Sequence, residues 1–162
     1  QLDDELLRIS KESFDALSFN CYALSPDHEK MNHALEISGL PMIIGEYHFG
    51  TVDRGLAQSL WQVNSQKERG DAFRYYTENA FAHRGLIGTG WFRWIDQNIN
   101  GRTDGENYNC GFIDVTDRPY PYMVDAAIET AKSLYEIHSG TKTPFHQAPN
   151  AVGHSPIPDL WE

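Results

Sequence analysis

Cysteine is scarce in this chain, with Cys21 and Cys110 the only two among 162 residues. No CxxC pair and no Cys/His ligand spacing occurs, which argues against a structural zinc site. A disulfide between two residues so far apart in sequence is not the expectation. Long apolar runs are also missing; none approaches the roughly 20 residues that a membrane helix needs. Basic residues are few, 13 Lys and Arg against 23 Asp and Glu, leaving a net charge of -10. Nucleic-acid binding rests on cations that neutralise phosphates, so that class of partner is disfavoured, whereas sugars are indifferent to the balance. Neither GxGxxG nor GxxxxGK[ST] is present, so the usual phosphate-cradling turns are absent. The segment opens on Gln1 with no basic n-region and no apolar h-region, so a targeting signal is absent or removed.

What is abundant is aromatic: 4 Trp, 8 Tyr and 8 Phe, several of them beside polar loop residues rather than on periodic faces. That placement suits a binding surface. With 40% hydrophobic residues, a chain of this length can bury one ordinary core.

Residues 1–13 carry Leu2, Leu6, Leu7 and Ile9 at helical spacing. An apolar stretch within 14–22 reads as a strand. Ser25-Pro26-Asp27 reads as a helix start, with Ser25 as N-cap and Pro26 at the first helical position. That helix carries Met31, Ala34, Leu35 and Ile37 and stops at Gly39 before Pro41. Residues 41–46 form a short continuous apolar run, the pattern of a parallel strand covered on both faces, and it ends in Glu46. A helix is expected over 65–84 with Ala72, Phe73, Tyr76, Ala80 and Phe81 on one face. A strand follows over 86–94, then a Gly- and Asn-rich loop over 96–117. Pro119 opens a last helix, with Val124, Ala127, Ile128, Ala131, Leu134 and Tyr135 as its inner stripe.

Strand–helix alternation three times over implies an α/β fold with parallel strands and right-handed crossovers. A doubly wound sheet also fits, but it usually displays a Gly-rich phosphate turn. The chemistry-bearing residues fall at the C-terminal ends of strands, where the active face of a barrel lies. Three strands cannot close a barrel. The expectation is therefore the C-terminal portion of a (β/α)8 TIM barrel, about its last three βα units, over residues 1–140, followed by an irregular tail over 141–162.

Glu46 is the sharpest candidate for chemistry. In a retaining glycosidase one carboxylate attacks the anomeric carbon and a second protonates the leaving oxygen. The attacking group must stay ionised, and Tyr22 and Asn20, near the preceding strand's end, are placed to donate hydrogen bonds. A strand-terminal Glu is equally at home in a structural ion pair. Trp91, Arg93 and Trp94 suit a sugar, whose C–H face packs on an indole while its hydroxyls meet charged donors. Strand alternation puts Trp91 and Arg93 on one face, and Phe92 and Trp94 on the other. Asp96-Gln97-Asn98-Ile99-Asn100-Gly101 opens like an EF-hand loop. The twelfth position, however, is Asn107, with Glu106 one place early, and the loop follows a strand rather than a helix. No metal or cofactor is expected. Asp104, Glu106 and Asn107 read either as hydroxyl-binding groups or as a solvated turn cluster.

Taken in order, these motifs resemble one family. Gly45-Glu46-Tyr47-His48-Phe49-Gly50 followed by Asp53-Arg54-Gly55 resembles the nucleophile strand and loop of glycoside hydrolase family 50, whose members are β-agarases. Gln66-Lys67-Glu68-Arg69 and Gly90-Trp91-Phe92 continue the likeness. It is strongest in Asp96-Gln97, Gly101-Arg102, the run from Asp104 to Asn109, and Gly111-Phe112. Asp114-Val115-Thr116-Asp117 and Pro119-Tyr120-Pro121 complete it, while Ser18-Phe19-Asn20 and Tyr22 are similar to the family's sixth strand.

The resemblance implies a retaining enzyme that cleaves β-linked galactose units in agarose or related galactans. Glu46 matches the nucleophile; the acid/base Glu ends the fourth strand, outside this sequence. Asn20, Tyr22, His48, Trp91, Arg93, Trp94, Asp96, Gln97, Asp104, Glu106 and Asn107 are the expected substrate contacts. The implied partners are a galactan poly- or oligosaccharide and the remainder of the barrel, with no nucleic acid and no membrane. Substrate size implies secretion or a periplasmic location. Two departures stand out: Tyr47 where Phe or Trp is usual, and Arg93 in place of the usual Gln. They leave open a non-catalytic carbohydrate-binding relative, or a β-galactosidase-like enzyme acting on a different galactan.

Overall fold

The computed structural model describes residues 3–154. Expectations for Leu2 and for residues 155–162 of the tail lie outside them. Helix α1 (Asp4–Ser13) is followed by strand β1 (Leu17–Asn20), α2 (His28–Ser38), β2 (Met42–Tyr47) and a two-residue β3 (Trp61–Gln62). Then come α3 (Gln66–Phe81), β4 (Leu86–Trp91), α4 (Pro121–His138) and a second two-residue strand, β5 (Val152–Gly153). The main sheet is parallel in the order β1-β2-β4, so each strand-to-strand connection crosses over by a helix. No helix among the described residues is long and apolar enough to cross a membrane.

The helices start where side-chain oxygens meet the orphan amides of the first turn. Asp3 caps α1 through Leu6 N, and Ser65 caps α3 through Glu68 N. At α2 the cap is Asp27, not Ser25; its carboxylate accepts from Glu29 N and Lys30 N, and Pro26 is left buried just outside the helix. The correction follows from the chemistry, since one carboxylate oxygen serves two amides here.

The sheet is covered on one face only. Leu17 and Phe19 of β1, Met42 and Ile44 of β2, and Leu86 of β4 point to the helices and join Leu7, Met31, Ala34, Ala72, Tyr76 and Ala80 in one core. On the other face Ser18 and Asn20 are exposed, and Ile43, Gly45 and Gly88 are half-buried. Helix α4 corrects a second expectation. Its buried stripe is Met123, Ala126, Thr130, Ser133 and Ile137, and it packs on α3. The predicted inner stripe stands outside instead: Ala131 and Ile128 are exposed, Tyr135 is 88% exposed, and Val124, Ala127 and Leu134 are only half-buried. Periodicity finds an apolar face without saying what covers it. Beside that face a groove of about 290 Å³ runs between Phe81, Leu86, Ile87, Leu134, Tyr135 and His138.

The tail wraps back over the molecule. Phe145 N donates to the buried Glu78 carboxylate at 2.8 Å, Asn79 Nδ2 donates to Phe145 O at 3.1 Å, and the Arg74 guanidinium lies over the Phe145 ring. Beyond this clasp β5 pairs antiparallel with β3. Strands β1 and β4 are both edges of the main sheet, and Ile87 on β4 is 57% exposed. Open edges and uncovered apolar faces template association. Residues 1–162 expressed alone should therefore self-associate, as read by size-exclusion chromatography with light scattering; a monomer with cooperative unfolding would contradict this.

Candidate active site

The register of the first two strands assembles the candidate site. Asn20 pairs with Glu46, and the Cys21 amide donates to Glu46 O at 2.9 Å. A Cβ on Gly45 would lie 2.9 Å from Asn20 Oδ1, so any larger residue would have to displace the Asn20 amide from its present place on this face. Glu46 is half-buried, and Tyr22 donates its phenol O–H to Glu46 Oε2 at 2.9 Å. Oε1 has no hydrogen-bond partner among the described residues. Burial first, then the hydrogen bond to Glu46 and the charges of Glu46, Cys110 and Glu106, push the Tyr22 phenol far above its ordinary range. Tyr22 therefore remains a neutral donor at any working pH.

Tyr22 is held from behind. The Trp61 indole N–H donates to Tyr22 O at 2.6 Å, and Tyr76 O–H donates to the neighbouring Cys21 O at 2.6 Å. The Tyr22 ring meets His48 edge-on at 5.0 Å. His48 is 1% exposed and both ring nitrogens are spent on backbone. Leu60 N–H donates to Nε2 at 3.2 Å, which leaves Nδ1 to donate to Phe92 O at 3.1 Å. The expected substrate contact from His48 is thus corrected: its imidazole braces the loops after β2 and β4 and has no nitrogen to offer a ligand.

The aromatic pair divides. Trp91 turns toward the helices, edge-on to Tyr47, Phe73 and Phe112, and donates its indole N–H to Cys110 O at 2.7 Å. Trp94 is 65% exposed and stacks on Phe112 at 5.8 Å. Arg93 is half-buried. The alternation expected across residues 91–94 does not hold, because β4 ends at Trp91 and period-two geometry stops with it.

The loop after β4 is scaffold. Asp96 is buried and accepts from Gly111 N at 2.7 Å, Asn109 Nδ2 at 2.7 Å and Tyr120 O–H at 2.6 Å. Gln97, fully buried, donates to Glu106 Oε2 and accepts from Tyr108 N. Asp104 accepts from Glu106 N and pairs with Arg102; Asn107 accepts from Ala57 N at 3.2 Å. Gln97 has no surface to offer a ligand, which corrects the substrate-binding expectation for it. Asp96, 5% exposed, borders a small pocket with Arg54, Leu56 and Tyr120 but has both oxygens committed to protein donors. Asp104, Glu106 and Asn107 remain at least partly exposed.

Reading along the chain missed Arg69. It lies on α3 with no exposed surface, donating to Phe49 O at 3.2 Å, Gly111 O at 2.6 Å and Gln66 Oε1 at 2.6 Å. Gln66 Nε2 in turn reaches Asp53 and Asn109. One buried guanidinium ties the loop after β2 to the loop after β4. The available signal was the position of Arg69, one turn from Gln66 and three residues before Ala72 on the buried face. Cys21 and Cys110 are both buried and form no disulfide with each other.

Two measurements probe this framework in the full-length protein. Arg69→Met should cost about 3–5 kcal/mol in chemical denaturation, since it strands two buried carbonyls and removes a buried cation that interacts with the charge of Asp96. Burial lowers the His48 pKa from 6.5 to about 3. The unfolded chain therefore takes up a proton that the native state refuses. The stability tied to this ring is complete above pH 6.5 and declines as pH falls toward 3, by up to about 1.4 kcal/mol per pH unit. Denaturation midpoints measured between pH 7 and 5 should show about one proton less of pH dependence in His48→Gln; an unchanged slope would count against a neutral native imidazole.

Known proteins share the sequence and fold of this chain over most of its length. No family model matches the chain. Over 128 residues it is 39% identical to β-agarase A of Vibrio sp. (strain JT0107), an alignment that covers 75% of this chain and 13% of that protein. Its fold superimposes on a solved exo-β-agarase with a TM-score of 0.79 at 35% identity, covering 85% of this chain and 18% of the other. It also superimposes on PfGH50B, with a TM-score of 0.77 at 39% identity, covering 82% and 19%. The chain thus spans about an eighth of the length of the curated relative and under a quarter of either solved one. Sharing sequence and fold with these proteins over most of its own length, the chain belongs to the β-agarase family, glycoside hydrolase family 50.

Proposed function

We propose that this chain is the C-terminal part of the barrel of a retaining β-agarase-like glycoside hydrolase, with Glu46 as the nucleophile. The observation that carries the reading is the polarised carboxylate. Glu46 stands at the C-terminal end of a central parallel strand, one oxygen held by a phenol that does not ionise and the other uncommitted. That is the demand on a glycosidase nucleophile: fixed orientation, with one lone pair aimed at the anomeric carbon. Family membership supports agarose or a related galactan as substrate.

In this mechanism Glu46 Oε1 attacks the anomeric carbon as the bond to the leaving oxygen breaks. That oxygen takes a proton from a second carboxyl group about 5–5.5 Å away, contributed by a strand outside this sequence. Water then cleaves the glycosyl ester, assisted by the same second group acting as base. Tyr22 holds Oε2 throughout. Asn20 faces the same side of the sheet as Glu46 and is free to meet a sugar hydroxyl. Trp94, exposed and stacked on Phe112, offers a flat face to a pyranose ring. Arg93, half-buried at the end of β4, adds a charged donor where the family usually has Gln. Asp104, Glu106 and Asn107 ring the rim.

The barrel reading rests on what stands uncovered. The sheet has an uncovered face carrying Ile43 among small and polar residues, two open edges, and an apolar face on α4 beside the groove at Ile87. The five missing strands and their helices would cover all of these. A polymeric substrate cannot cross a membrane intact, so a secreted or periplasmic enzyme is the matching location.

The test is Glu46→Gln in the full-length enzyme. A carboxamide cannot form the glycosyl ester, so release of reducing ends from agarose should fall by several orders of magnitude, with thermal unfolding unchanged. Activity within a few-fold of wild type would overturn the assignment.

A further inference from the structure

The segment after α4 reaches the candidate site through one narrow contact. Strand β5 pairs Gly153 with Trp61 and Val152 with Gln62. A Cβ at Gly153 would stand 3.0, 3.2 and 3.4 Å from Cζ2, Cε2 and Cη2 of Trp61, so the glycine lies flat against the indole. The same indole donates from Nε1 to Tyr22 O at 2.6 Å, and Tyr22 donates to Glu46 at 2.9 Å. A parallel route passes through Leu60. Its carbonyl accepts from His154 N at 2.7 Å, while its amide donates to His48, whose ring meets Tyr22 edge-on. The tail thus touches Trp61 directly and reaches His48 only through Leu60.

The strap is anchored well away from the site. Phe145 is clasped by Glu78, Asn79 and Arg74, so the chain from the end of α4 is drawn across α3 before it reaches β3. On the other side β3 is bound to the loop that follows the strand carrying Glu46, since Gly50 N donates to Trp61 O at 2.8 Å and Val63 N donates to Gly50 O at 2.9 Å. Trp61 is therefore wedged between the tail and the nucleophile's loop. Its ring also meets Phe49 edge-on at 6.3 Å.

We propose that Trp61 is a positioning residue for the nucleophile, and that the C-terminal strap, through Gly153, sets the indole that orients Tyr22 on Glu46. The inference rests on the assignment of Glu46 as nucleophile. It gives the tail a role in turnover rather than in substrate affinity, because the described strap residues near the site meet Trp61, Gln62 and Leu60 rather than Glu46. Without the Trp61 donor, Tyr22 O loses its partner, the phenol drifts, and Oε1 is no longer held in its attacking direction. Misplacement of a reacting group by an ångström costs rate far more than binding.

The experiment uses the full-length enzyme with three substitutions: Trp61→Phe, which keeps an aromatic ring but deletes the N–H; Gly153→Val, which drives a branched side chain into the indole; and Gly153→Ala, the mild version. Turnover is expressed per active site, counted by stoichiometric trapping with a slow fluorosugar, so that misfolded molecules drop out of the rate. Trp61→Phe and Gly153→Val should lower kcat per site about tenfold or more, with KM within about twofold, and Gly153→Ala should fall between them and wild type. If instead the variants only melt earlier or trap fewer sites, with kcat per site unchanged, the strap is merely structural and the inference is overturned. The same holds if KM rises while kcat stands. Should Gly153→Val not fold, Trp61→Phe and Gly153→Ala decide the matter by the same criteria. Wild-type enzyme inert on every β-galactan would overturn the functional reading itself; active wild type with unaffected variants would overturn this inference alone.

Discussion

A guanidinium without water around it needs its donors met by protein, and Arg69 meets that demand by holding two loops together. Its bonds to Phe49 O and Gly111 O span the segments that follow β2 and β4, and Gln66 extends the knot to Asp53 and Asn109. The Tyr120 ring lies under the cation at 5.0 Å, and Tyr120 O–H closes the circuit on Asp96. Burial lowers the Arg69 pKa, but the charges of Asp96, Cys110, Tyr120 and Asp53 oppose the shift. The candidate site has a fixed floor because this network leaves the two loops no independent freedom. Such a network stabilises only when complete, which makes each member costly to lose.

This changes the meaning of the most recognisable stretch of sequence. Asp96, Gln97 and Asn109 are polar, adjacent to aromatics, and at the end of a strand, all of which suggests sugar contacts. In the structure they are buried and bonded to backbone, to one another, or to the side chains of Tyr120, Glu106 and Gln66. The chemistry they serve is second-hand: they place Trp94, Arg93 and the loop that carries Glu106. Conversely, Asn20 stands in register with Glu46 across the sheet, and Tyr22 holds one of its oxygens. Buried polar groups specify a unique loop geometry; exposed ones meet the ligand.

The uncovered surfaces carry the other half of the physical argument. Helix α4 buries a stripe that includes Thr130 and Ser133 and exposes Ile128 and Tyr135, the reverse of what hydropathy alone favours. The inversion makes sense if the α3 side admits close approach of small residues while the bulky apolar side awaits other elements. Glu78 fits the same logic. A carboxylate in the α3–α4 interface is tolerated because Arg74, Thr130 and the Phe145 amide all satisfy it, and through Phe145 it fastens the tail.

The sequence by itself determined the alternation of strands and helices, the parallel sheet, the position of Glu46 at a strand end and the family. Each of these depends on local period, on caps, or on short motifs that survive reading one residue at a time. It put the cap of α2 on Ser25 instead of Asp27 and the wrong side of α4 inward, and it left open the side toward which Trp91 turns. Nor did it reveal that His48 and Asp96 face inward, that Arg69 is buried, or that Gly153 lies on Trp61. Those outcomes depend on partners distant in the chain. Burial and hydrogen-bond satisfaction are properties of a neighbourhood, and a neighbourhood exists only once the strands are in register.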